Sequence, residues 1–226
     1  MKISNRGKLF QKFNQLLGRS TRDEYVSFNS RSIYYGHQKI TYKGVQAIRC
    51  PFDFVMFQMI VFEVKPDLII EIGSNEGGSA LYLADLMQSF GLSGEIHSID
   101  INDSAVKNLK NNPNIKVFTN GWEAYDLEHC KGFNKILVIE DAAHTYECTI
   151  GAIKKFAPVV SKDSYLIVED GIVDVLGTSE SFNGGPLKAL REFLPNHPEF
   201  IVERKWCDMF GKNATFNVNG YLKKIK

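Results

Sequence analysis

Two apolar runs, ILVIED over 136–141 and YLIVED over 165–170, end in the same Glu-Asp pair. Both are continuous rather than alternating, the pattern of strands buried on both faces of a parallel sheet. Five further strand-like segments (67–73, 95–101, 115–120, 200–206 and 214–225) are interleaved with helical ones (51–66, 78–90, 104–112, 144–160 and 185–194). This alternation predicts an α/β domain with a mainly parallel seven-stranded sheet and helices on both faces. In such sheets ligands bind beyond the carboxyl ends of the strands, where strand order reverses. Both Glu-Asp pairs stand at strand carboxyl ends, and buried acids are costly unless paired or bound to a cation. The pairs are therefore expected at one cleft.

A net charge of +1 over 226 residues lacks the basic footprint of a nucleic-acid binder. The four cysteines form no CxxC, so neither zinc nor a disulfide scaffold is indicated, and reduced thiols fit a cytoplasmic protein. No apolar run approaches the ~20 residues of a membrane span. Residues 1–22 carry six basic side chains and no acid, with Leu9, Phe10, Phe13, Leu16 and Leu17 at helical spacing. Such a helix packs on the domain or on a second subunit of a homo-oligomer, or makes peripheral contact with an anionic membrane. The expected division is a basic amphipathic helix and a flap over 1–50, with the functional domain over 51–226.

The stretch EIGSNEGGSALYLA (71–84) follows the first domain strand and opens a helix. It does not match GxGxxG, and no lysine follows its glycines, so neither a dinucleotide fingerprint nor a P-loop is present. Gly73, Gly77 and Gly78 permit close approach of the backbone to a ligand. Glu71 before the turn suits an ammonium group, and Asp100 at the end of the next strand suits ribose hydroxyls. S-adenosylmethionine offers both.

The ordered set DLIIEIGSNEGGSALYLA, IHSIDI, DAAHTYE, YLIVEDGIVD and GGPLKALREFL resembles the cephalosporin hydroxylase family across roughly residues 50–220. Despite that name, these are Rossmann-like class I S-adenosylmethionine-dependent methyltransferases, sugar O-methyltransferases among them. The resemblance implies that Glu71, Gly73, Asn75, Ser79 and Asp100 hold the cofactor, with Ser74, Gly77 and Ile101 beside them. It also implies that Asn120, Gly121 and Trp122 border the adenine.

Asp141, Glu169 and Asp170 offer hard oxygen donors that suit Mg²⁺. Side-chain alternation leaves Glu140 out of this set. It would also separate Glu169 from Asp170, unless the strand ends there and Gly171 turns the chain; the resemblance favours both as ligands. His144, three residues after Asp141, reproduces the family's D-x-x-H spacing and is implied to be the general base. Tyr146 and Glu147 match the same pattern, although helix packing and first-turn charge account for them. Together these imply Mg²⁺-dependent methylation of a hydroxyl on a small-molecule or glycan acceptor. Residues 170–190 and the flap near 31–48 are expected to cover that acceptor, and Tyr34, Tyr35 and Trp206 are candidates for stacking on a sugar, although such aromatics serve packing at least as often. Two rivals stand beside this reading. A metal-dependent hydroxylase would require two histidines near the acids. A non-catalytic glycan- or nucleotide-binding module would be expected to lose the base or the ligands.

Overall fold

The computed structural model describes residues 26–226 and Lys12. The predicted helix over 1–22 otherwise lies outside the described residues. The chain runs α1 (Ser30–His37), β1 (Thr41–Tyr42), β2 (Val45–Gln46), α2 (Pro51–Val64), β3 (Leu68–Ile72), α3 (Gly78–Ser89), β4 (Glu95–Ile99), α4 (Val106–Leu109), β5 (Ile115–Phe118) and α5 (Gly121–Ala124). It continues through β6 (Ile136–Glu140), α6 (Tyr146–Phe156), β7 (Tyr165–Val168), α7 (Ile172–Val175), α8 (Gly185–Phe193), β8 (Phe200–Val202), α9 (Arg204–Cys207) and β9 (Tyr221–Lys224). None of the described helices is long and apolar enough to cross a membrane.

The main sheet has seven strands in the order β5-β4-β3-β6-β7-β9-β8; β9 runs antiparallel to both its neighbours and the other pairings are parallel. All five β3 residues are buried, as a central strand covered on both faces requires. Alternate residues feed two cores. Leu68, Ile70, Val138 and Leu166 pack with Ile153 and Phe156 of α6 and Phe193 of α8. Ile69, Leu137, Ile139 and Ile167 pack with Phe57 and Ile60 of α2 and Leu83 of α3. The direction of strand order reverses between β3 and β6, where a ligand cleft is expected.

Several segments differ from the sequence expectation. The stretch 24–50 holds a helix, α1, as well as the β1–β2 hairpin. The serine hydroxyl of Ser32 and the side chain of Asn29 cap α1 reciprocally, a box that its polar sequence conceals. The last strand shrinks to Tyr221–Lys224 because the buried carboxylate of Asp53, on α2, captures the segment before it. Asp53 accepts from the Thr215 hydroxyl (2.5 Å), the Phe216 N–H (3.1 Å) and the Tyr221 hydroxyl (3.2 Å). Trp206 lies on α9 rather than a strand, and it is buried, with its indole N–H donating to the Tyr165 hydroxyl at 3.1 Å. It is therefore unavailable to a sugar.

Candidate active site

Three strand ends build the site. β3 ends at Ile72, and Gly73 follows at φ 99°, its N–H bonded to the Ile99 carbonyl (2.8 Å). A Cβ on Gly73 would stand 2.0 Å from the Asp141 carbonyl oxygen, so a glycine is what lets the ends of β3 and β6 meet. Asn75 is also left-handed (φ 47°), and its N–H donates to Asp100 Oδ2 (2.9 Å). Asp100 Oδ1 accepts from the Ile101 N–H (2.7 Å) and the Asn102 side chain (2.9 Å). Oδ2 thus keeps a lone pair free for a ligand hydroxyl.

Between these ends and α5 opens a cleft of about 420 Å³ whose walls include Gly73, Asn75, Asp100, Gly121 and Trp122. Ile101, 79% exposed, and the Trp122 ring give it apolar surfaces suited to a flat base. Trp122 is seated on α6 at Gly151, where a Cβ would come within 2.6 Å of the indole. A second cavity of about 210 Å³ shares Gly73, Asn75 and Asp141 with the first and extends to Ser74, Ser79, His144 and Asp170.

Alternation sorts the acids. Glu71, Asp141 and Glu169 each lie two residues beyond an isoleucine of the α2–α3 core, so they share that face. Glu140 points to the opposite face and is buried. Asp170 joins the first group because its own backbone is left-handed (φ 55°). The turn expected at Gly171 is made one residue earlier, and Gly171 itself is right-handed (φ −55°). His144 is left-handed as well (φ 56°), a conformation that costs a non-glycine residue about 1–2 kcal/mol. Strain at these two residues brings their side chains together: His144 Nε2 is 3.2 Å from Asp170 Oδ2. One ligand atom from each of Asp141, His144 and Asp170 lies within 4.8 Å of the others. His144 Nδ1 is buried without a partner.

Glu169 is not in that group. Its carboxylate receives a two-pronged contact from Arg49, Nη2 to Oε1 at 2.5 Å and Nε to Oε2 at 3.2 Å. Arg49 also reaches Glu71 Oε1 (3.4 Å) and the Ser79 hydroxyl (2.5 Å). Glu71, fully buried and facing Arg49, lines neither cavity, and its Oε2 is buried without a partner. Asn120 lines an adjoining hollow that shares Gly121 with the cleft. Gly77 packs on the Leu109 side chain and shapes the loop from behind, whereas Ser74 pairs with Ser98 and lines the second cavity.

Burial, then the neighbouring charges of Glu169 and Asp170, hold Asp141 well above the usual carboxylate range. Burial pushes Asp170 up to about 6, against the opposing influence of His37 and Arg49. His144 is pushed down by burial, which favours neutral imidazole. Like charges crowded in this way are what a bound cation relieves.

Arg49 was not legible as a site residue, although it is the only arginine between Arg31 and Arg191. An excess of acids at buried strand ends is the signal that points to it. His37, which earned no role from sequence, packs with Tyr34 and Phe216 beside Asp170. Phe182, in the predicted lid, has its ring centroid 6.2 Å from that of His144, and Asn183 of the same segment donates to Glu147 (3.1 Å).

This sheet order and cleft are those of a class I methyltransferase, and solved structures agree. A CmcI structure with Mg and SAM superposes with a TM-score of 0.61, at 17% identity over 90% of this chain and 88% of that one. A CmcI structure with SAH gives a TM-score of 0.64, at 15% identity over 91% and 89%. The family model described as Rhamnosyl O-methyltransferase/CmcI matches residues 35–225, and the chain belongs to that family. The rhamnosyl O-methyltransferase of Mycobacterium leprae is 29% identical over 202 residues, covering 84% of this chain and 86% of its own. The protein of that name from Mycobacterium tuberculosis H37Rv is 28% identical over 84% and 81%.

Proposed function

We propose that this chain is an S-adenosylmethionine-dependent O-methyltransferase that methylates a hydroxyl of a sugar or glycan, with Mg²⁺ as its metal. One observation carries the reading: the cleft behind Gly73 and the Asp141–His144–Asp170 group share a wall. A methyl donor and an acceptor hydroxyl placed in the two cavities would meet there. The family and its curated relatives support a sugar acceptor.

Asp100 holds the ribose, Gly73 and Asn75 supply the loop backbone, and Ile101 and Trp122 enclose the base. Asp141 and Asp170 would hold the metal. Glu169 is a further ligand only after leaving Arg49. The donor set of carboxylates with a single histidine fits Mg²⁺ and lacks the second histidine of an iron hydroxylase. When bound, the metal supplies a Lewis acid that lowers the pKa of the acceptor hydroxyl. S-adenosylmethionine supplies the methyl group, whose bond to sulfur breaks with the electron pair remaining on sulfur.

The side chains contribute orientation and proton transfer. Asp170 Oδ2 pairs with His144 Nε2, which orients the imidazole at the acid group. His144 then takes the hydroxyl proton as the new O–CH₃ bond forms. Holding oxygen and methyl in line is worth ~7–11 kcal/mol in such transfers. Phe182 and Asn183 cover the acceptor from the 170–190 segment. The catalytic unit begins before residue 51, because Arg49 and the hairpin wall form part of it.

The deciding test is calorimetric titration of S-adenosylmethionine, followed by transfer of labelled methyl to rhamnosides with and without Mg²⁺. Saturable binding with metal-dependent methyl ether formation is expected. A flat titration of folded protein would overturn the proposal.

A further inference from the structure

Arg49 presents an arrangement that neither cofactor binding nor proton transfer requires. Its side chain is fully buried and its guanidinium lies 4.2 Å from the centroid of the Phe57 ring. The opposite contacts are carboxylates and a hydroxyl: Glu169 in a two-pronged grip, Glu71, Ser79, and Asp141 Oδ2 at 3.7 Å. Burial alone would weaken its charge, and the three carboxylates more than reverse that. The guanidinium is thus a permanent cation at the acid cluster. Asp141 belongs both to its contacts and to the group that can hold a metal.

The charges at this point are unbalanced. Glu71, Asp141, Glu169 and Asp170 are four carboxylates against one guanidinium. A divalent ion and a cofactor carrying one net positive charge would close the difference. Arg49 and the ion would thus draw on the same acids, with Asp141 shared between them.

We propose that Arg49 is a positioning residue that acts as an internal counter-cation, holding Glu169 away from the metal group and setting the divalent-cation affinity of the site by competing for its carboxylates. This rests on the metal reading above. A structural ion pair would predict only loss on mutation. Competition predicts a gain: without the guanidinium, Glu169 is released and the repulsion between the two cations is gone. At an effective dielectric near 20, unit charges several ångströms apart interact strongly enough that removing one should tighten a divalent ion by about tenfold or more.

The test is Mn²⁺ binding, measured by electron paramagnetic resonance of free ion, on wild type, Arg49→Gln and Arg49→Lys, without cofactor. Far-UV circular dichroism and melting serve as fold controls. Arg49→Gln should bind Mn²⁺ about tenfold or more tightly than wild type, while Arg49→Lys, which keeps the charge, should stay within about threefold. If Arg49→Gln does not fold, Glu169→Gln and the double variant Arg49→Gln/Glu169→Gln give the same comparison. The double variant removes both charges of the pair rather than leaving one buried alone, and it should bind more tightly than Glu169→Gln. Wild type that binds Mn²⁺ with folded variants that bind no tighter would overturn the role of Arg49 alone. No binding by wild type or by any variant would overturn the metal reading and this proposal with it.

Discussion

Replacing Gly73 by alanine tests the close approach on which both cavities depend. The new methyl group would sit 2.0 Å from the Asp141 carbonyl oxygen, 2.5 Å from its carbon and 3.0 Å from Ala142 Cα, all backbone atoms that cannot rotate away. Relief requires the ends of β3 and β6 to part by more than 1 Å, starting from an Asp141 N–H to Ile72 carbonyl bond of 2.8 Å. Left-handed backbone costs alanine about 1–2 kcal/mol, overpacking about 1–3, and a weakened buried hydrogen bond about 1. The sum is about 3–6 kcal/mol, which in a chain of this size lowers the melting temperature by roughly 6–24 °C. Gly44→Ala is the control, because Gly44 is also left-handed (φ 80°) but a methyl there meets nothing within 4 Å. It should cost the backbone strain alone, about 1–2 kcal/mol. Differential scanning fluorimetry and S-adenosylmethionine titration read both consequences. Gly73→Ala should also weaken cofactor binding by about a hundredfold, the scale of roughly 3 kcal/mol. If the two variants melted alike and both bound cofactor normally, the contact between the strand ends would not exist in solution.

Other perturbations bear on individual side chains. His144→Ala should abolish methyl transfer in a labelled-donor assay while leaving calorimetric cofactor affinity within about threefold, because His144 lines only the second cavity. If His144 is base rather than ligand, Mn²⁺ binding in that variant should persist; loss of both would make it a metal ligand. Asp141→Asn should remove activity that no excess of Mg²⁺ restores, and EDTA should silence wild type reversibly; full activity in chelator would refute a metal role. Burial pushes Glu140 up to about 7, so the protonated form stabilises the fold at low pH and that contribution fades as pH rises through 7. Between pH 6 and 8 this group should cost about 1.4 kcal/mol of unfolding free energy, seen in urea titrations as a shallower decline in Glu140→Gln than in wild type. Equal slopes would mean Glu140 is not titrating in that range.

The strand ends were readable because alternation is local. A continuous apolar run followed by an acid announces its carboxyl end without knowledge of any partner, and the period of two correctly separates Glu140 from Asp141. Arg49 was unreadable for the opposite reason. Its partners Glu71 and Glu169 lie 22 and 120 residues away, and nothing in AIRCP declares that the side chain will be buried. Sequence reasoning supplied a metal for Glu169 and a cofactor ammonium for Glu71, where the fold supplies one arginine for both. Trp206 stood open between stacking and packing because an aromatic in ERKWCD reads alike whether its indole faces solvent or donates to a buried tyrosine.

Gly171 shows a subtler limit. Sequence assigns the turn after Glu169 to it, since glycine adopts left-handed backbone most cheaply. In the structure its φ is −55°, and a Cβ there would stand 2.9 Å from the Val218 carbonyl oxygen. Glycine is needed at 171 for space, and that leaves Asp170 to take the left-handed conformation at its own expense. The strain thus falls on the residue whose carboxylate must leave the strand's alternation to reach His144. The C-terminal segment, pinned by Asp53, presses the Val218 carbonyl against Gly171 and so helps hold that geometry from the far side of the sheet order. A close approach between segments distant in sequence decides where the site's second carboxylate points, and no local pattern carries that information.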